Sequence, residues 1–71
     1  MQLARDPVAQ RIRDLRFKQA LTQVELAALA GLNRNTIVEA EQGHPLRPST
    51  VRKIALALGV PPTRLTLGHD S

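Results

Sequence analysis

The 71 residues contain no cysteine, which excludes disulfides and thiolate metal sites and suits a reducing, cytoplasmic setting. Tryptophan and tyrosine are also absent and Phe17 is the lone aromatic residue, so the chain lacks the rings on which single-stranded nucleic-acid modules stack bases. Apolar runs are short. Leu26-Ala27-Ala28-Leu29-Ala30 is far below the length needed to span a bilayer, and the N-terminus lacks the apolar centre of a signal peptide. No glycine-rich phosphate loop occurs. His44, His69, Asp70 and Ser71 make a poor metal set and cannot converge as a triad, so solvated side chains are expected there. Neither an enzyme, a cofactor nor a metal site is expected.

Acidic residues are scarce beside basic ones. Ten Lys and Arg against six Asp and Glu give a formal charge of +4 and a pI near 11.2, which favours an anionic partner. A basic surface without such a partner has the same composition, so charge alone leaves both readings open. The length allows one domain, which buries a smaller share of its surface than a typical domain and should be only modestly stable.

Apolar residues recur at three- and four-residue steps with no clean alternation, which predicts an all-α domain. Asp6-Pro7 reads as an N-cap and first helical residue, opening a helix with Val8, Ile12 and Leu15 on one face and ending near Gln19. Thr22-Gln23-Val24-Glu25 has the form of a capping box. It opens a second helix, Gln23 to Ala30, that stops at Gly31. Asn33 can cap a third helix from Arg34 to Gln42, and Gly43 follows. His44-Pro45-Leu46-Arg47-Pro48 must be a loop. Ser49 is the expected cap of a fourth helix reaching Gly59, and Pro61-Pro62 can start a short fifth. This predicts one domain over residues 1–71, with its core at about 6–67, a helix-turn-helix at about 23–42 and a frayed tail at 68–71.

The run from Leu21 to Ile37, LTQVELAALAGLNRNTI, followed by Glu41-Gln42-Gly43, resembles the Cro and phage-repressor (Xre) helix-turn-helix family. Ile12-Arg13-Asp14-Leu15-Arg16 resembles the family's first helix. Arg47-Pro48-Ser49 and Ile54-Ala55-Leu56-Ala57-Leu58-Gly59-Val60 resemble its loop and fourth helix, so the likeness covers nearly the whole chain. It implies a five-helix, lambda-repressor-like fold whose third helix lies in the major groove of a double-stranded DNA operator. The resemblance also implies a homodimer, formed in solution or only on DNA.

By position, the resemblance assigns base reading to Arg34, Asn35, Thr36 and Glu39, and Gln42 shares their face. Gln23 is placed near a phosphate, supporting the base contacts. Asn33, Arg47 and Arg13 are the further candidates for the DNA backbone, and Arg16 with Glu41 is implied as a buried pair joining the first and third helices. The residues themselves suit these roles. At about 100° per residue, Ile37, Ala40 and Glu41 fall on one side of the third helix and Asn35, Val38, Glu39 and Gln42 on the other. Arg can donate twice to guanine, Asn can exchange two hydrogen bonds with adenine, and Thr or Val can touch a thymine methyl. A merely solvated polar face is the alternative.

Several residues depart from the family pattern. Ala20 stands at a turn expected to need a positive φ, and Ala40 is small where a larger apolar residue is usual. Glu39 puts a carboxylate in a groove lined by phosphates. It either selects cytosine or orients Arg34 or Asn35, and the electrostatic cost favours orientation. Phe17, Leu29 and Leu56 fall where solvent is expected; with Leu65 and Leu67 they offer a surface for a second subunit or a protein partner. The function these observations point to is a sequence-specific transcriptional regulator, a repressor or controller of bacterial or phage type. The alternative is an interaction module or antitoxin that uses the same fold to bind a protein such as a toxin.

Overall fold

Helix ends leave backbone donors and acceptors without partners, and local chemistry meets several of them here. The computed structural model describes residues 7–66. They form α1 (Pro7–Lys18), α2 (Gln23–Ala30), α3 (Arg34–Glu41), α4 (Pro48–Leu58) and α5 (Pro62–Thr66), with no strand among the described residues. Thr22 Oγ1 accepts from the Glu25 amide at 3.0 Å while Glu25 Oε1 accepts from the Thr22 amide at 2.9 Å, closing the capping box of α2. At α3, Asn33 Oδ1 accepts from the Asn35 amide at 2.9 Å. Gln42 is the C-cap of α3 rather than its last helical residue.

The fourth helix does not begin behind a Ser49 cap. Arg47 occupies the N-cap position without a side-chain hydrogen bond, and Pro48 is the first helical residue. Proline loses nothing there, because its φ is preset and the missing amide would have no partner, so the helix starts ahead of Ser49. Asp6, Leu67 and the tail at 68–71 lie outside the described residues.

The C-terminal ends of α1 to α4 share one device. The amide two residues past the last turn donates to a carbonyl five residues back: Leu21 to Arg16, Leu32 to Ala27, His44 to Glu39 and Val60 to Ala55, at 2.9 to 3.1 Å. The chain reverses through a left-handed residue each time. Three of these are glycines, Gly31 (φ 69°), Gly43 (φ 91°) and Gly59 (φ 76°), but the fourth is Ala20 at φ 57°. A Cβ in this region is crowded by its own backbone, which costs about 1 to 2 kcal/mol. Leu21, Leu32 and Val60, which follow three of these residues, fold back onto the core.

Each helix contributes one large, fully buried side chain to that core: Ile12, Leu26, Ile37, Ile54 and Leu65. Leu65 is thus a core residue and not part of an exposed surface; the first turn of a five-residue helix has too little periodicity to reveal this. Phe17, Leu29 and Leu56 are exposed, as expected, and Val24 joins them. Ala40 is buried and borders an open cleft lined also by Val8, His44, Pro45, Leu46, Val51 and Thr66. Helix α3 packs on both α1 and α2, so its inner face is held from two directions.

Replacing Ala20 by glycine should raise stability by up to about 1 kcal/mol, the strain relieved less the extra freedom glycine gives the unfolded chain. The urea midpoint measures it. A fall in the midpoint would contradict strain at Ala20.

Candidate nucleic-acid interface

Helix α3 divides sharply by exposure. Ile37, Ala40 and Glu41 are buried, Thr36 and Val38 are half-buried, and Arg34, Asn35, Glu39 and Gln42 are exposed. Asn35, Glu39 and Gln42 follow at steps of four and three, which lines them up along the outer face. Their row is about 10 Å long, the rise of about three base pairs. Arg34 stands at the N-terminal tip, where the helix dipole adds partial positive charge to its guanidinium. This arrangement can present two-point donors, a mixed donor–acceptor amide and an acceptor-only carboxylate to one anionic, groove-shaped ligand.

The orientation of that face depends on the other end of the helix. Glu41 closes α3, where the macrodipole is already negative and where the last turn carries no basic residue. Helix α1 supplies the missing positive charge. Arg16 grips the Glu41 carboxylate through two parallel bonds, Nε to Oε2 at 2.6 Å and Nη2 to Oε1 at 2.9 Å. Both residues are buried, at 8% and 7% exposure. Gln23 Nε2 adds a longer bond to Oε1 at 3.3 Å, and Arg16 Nη1 reaches the Leu21 carbonyl at 2.9 Å. Lysine could not make this planar fork. Hydrogen bonding to Glu41 raises the Arg16 pKa above its ordinary value; burial opposes the shift and Coulombic attraction to Glu41 assists it. A raised cation pKa means that its share of stability is present throughout the neutral range and is lost only at extreme alkaline pH.

Some expected site residues are engaged within the protein. Gln23 is half-buried and its side-chain amide donates to Glu41, which ties α2 to the end of α3. Arg13 is half-buried and donates through Nη2 to the Glu41 main-chain carbonyl at 2.9 Å, which uses one of its five N–H donors. The Asn33 side-chain oxygen is occupied by capping, which leaves its amide NH₂ as the free donor. Arg47 is exposed. Glu39 forms no side-chain hydrogen bond or ion pair with any described residue, so it does not orient Arg34 or Asn35 in the free protein.

Two further contacts escape sequence reasoning. Arg11 Nη1 donates to the Leu65 carbonyl at 2.9 Å, and Gln19 Nε2 to the Leu58 carbonyl at 2.7 Å. Both bind carbonyls at the C-terminal parts of α5 and α4, and no local pattern marks a side chain that serves a distant helix. Among the described residues no cluster of three His, Cys, Asp or Glu could hold a metal, and no helix is long and apolar enough to cross a membrane.

Residues 12–65 match the helix-turn-helix family. The restriction-modification controller protein C.AhdI from Aeromonas hydrophila superposes with a TM-score of 0.80 at 35% identity, over 83% of this chain and 91% of its own. A hypothetical transcription factor, NHTF from Neisseria, gives a TM-score of 0.81 at 29% identity, over 94% and 87%. A Mycobacterium tuberculosis protein described as a candidate antitoxin, HigA2, is 43% identical over 58 residues. That match takes in 78% of this chain but 57% of the relative, so the chain spans little more than half that protein's length.

Glu41→Ala should cost about 3 kcal/mol in urea denaturation at neutral pH, because it strands the Arg16 charge. That is the low end for a buried pair, as a domain 22 to 31 Å across keeps every charge near water. An unchanged midpoint would show that the pair does not hold α3.

Proposed function

The chain belongs to the helix-turn-helix family of DNA-binding transcriptional regulators, and from that premise we propose that α3 enters the major groove of an operator and reads it there. The observation that carries this reading is the exposed polar face of α3, held outward by the buried Arg16–Glu41 pair beneath it. Arg34 and Asn35 carry most of the base readout, and Thr36, Glu39 and Gln42 share it. Arg47 and the free amide of Asn33 contact phosphates and set register, while Gln23 and Arg13 act indirectly by fixing α3.

The proposed role is a repressor or controller acting on promoters in the cytoplasm as a homodimer. One α3 offers only a few base contacts, each discriminating by about 1 to 3 kcal/mol, which is too little to select one site in a genome. A two-fold pair roughly doubles the readout and favours a nearly palindromic site, with the two α3 helices about 34 Å apart. The proposed pairing surface lies toward the C-terminal half, around the 82% exposed Leu56 and the segment 61–67, because the α3 helices must stay free to enter the groove. The candidate antitoxin among the relatives, together with exposed Leu29 and Leu56, favours a second reading, in which the apolar residues bind a protein such as a toxin.

Arg34→Ala should weaken binding to the preferred site far more than to random DNA, by about 1 to 3 kcal/mol, whereas Arg47→Ala should weaken both about equally. Fluorescence anisotropy on both duplexes checks this. An Arg34→Ala variant with unaltered specificity would refute the readout assignment. Analytical ultracentrifugation should give one protein per half-site and two, bound cooperatively, per full site. One protein per full site at saturation would exclude the dimer.

A further inference from the structure

The outer face of α3 carries one group whose charge opposes DNA binding. Glu39 sits within the row Asn35, Glu39, Gln42, one helical turn from each, and nothing in the described protein neutralises it. In a major groove about 12 Å wide its carboxylate lies about 6 Å from either phosphate wall. That is inside the screening length at physiological salt, so the repulsion is felt on every sequence alike. Only a ligand group that donates a hydrogen bond can offset it, because an ionised carboxylate is acceptor-only.

The four bases differ in what they offer. Guanine shows two acceptors and thymine an acceptor and a methyl, so neither can satisfy Glu39. Adenine offers its N6 amino group beside the N7 acceptor, whose lone pair faces the carboxylate. Cytosine offers the N4 amino group without a competing acceptor. Resting on the groove reading above, we propose that Glu39 is a specificity-determining residue that selects cytosine, accepting from its N4 amino group at one base pair of each half-site. The cost is uniform across sequences and the gain is confined to one base, so Glu39 lowers affinity for random DNA while sharpening discrimination.

This predicts opposite movements of two quantities on removing one exposed side chain. Selection from a random duplex pool with the natural protein should yield a cytosine at one fixed position per half-site. Glu39→Ala should lose that preference by about five- to a hundredfold and keep the bases read by Arg34 and Asn35. Its affinity for random duplex should rise about threefold, the effect of removing one charge about 6 Å from a phosphate in water. Glu39→Gln should shift the same position toward adenine, which matches a donor–acceptor amide. Circular dichroism melts check that both variants fold, as exposure of Glu39 leads one to expect. A motif without such a cytosine, or one that Glu39→Ala keeps unchanged, would overturn the role of Glu39 and leave the groove reading standing. No motif from any of the three proteins would overturn both.

Discussion

A carboxylate at the C-terminus of a helix meets the negative end of the helix dipole, and how that charge is met decides the orientation of α3. Glu41 is buried in this position, with Arg16 bonded to it twice, Gln23 once, and Arg13 bonded to its main-chain carbonyl. These four residues come from three helices. Leaving any buried charge among them without its partner costs several kcal/mol, a large fraction of what a domain of this size has in hand. The pair therefore acts as a constraint as much as an attraction. It fixes which side of α3 is inward, and the exposed residues on the other side follow from helical geometry alone.

Helix α1 has a wider role of the same kind. Arg11 and Arg13, together with Gln19 just beyond the helix, donate to carbonyls near the C-terminal ends of α5, α3 and α4, while Arg16 serves the turn at Leu21. Arginine near a helix C-terminus commonly satisfies the last carbonyls of its own helix. Here α1 serves its neighbours, and each bond ties a helix end to a common strut. The apolar core, one large side chain per helix, supplies the non-directional part of the stability, and these polar ties give it direction. Three arginines of α1 are used in this way.

What was legible in the sequence is mostly what depends on neighbours a few residues apart. The capping box at Thr22, the Asn33 cap and the glycine stops at Gly31 and Gly59 are local chemistry, and the 3.6-residue period divides α3 into its two faces. The strain at Ala20 was legible because a C-terminal turn needs a left-handed residue whatever the surroundings. Ser49 misled because two capping devices compete at that point, and a proline at the first helical position wins when the preceding residue is extended, as Arg47 is. Leu65 was misplaced because one turn of helix carries no phase. No spacing rule joins Arg16 to Glu41, and only the family resemblance brings them together. The free state of Glu39 and the inward turn of Gln23 and Arg13 depend on tertiary geometry that a linear pattern does not carry.

Helix α3 is the proposed surface that meets duplex DNA, and the polar ties and core behind it hold that helix in place. Amide chemical shifts of the ¹⁵N-labelled protein, recorded while double-stranded DNA is added, test this directly. The largest changes should run from Asn33 to Gln42 and recur at Arg47, weakening as salt is raised. Changes centred instead on Phe17, Val24, Leu29 and Leu56, or none at all at low salt, would contradict it.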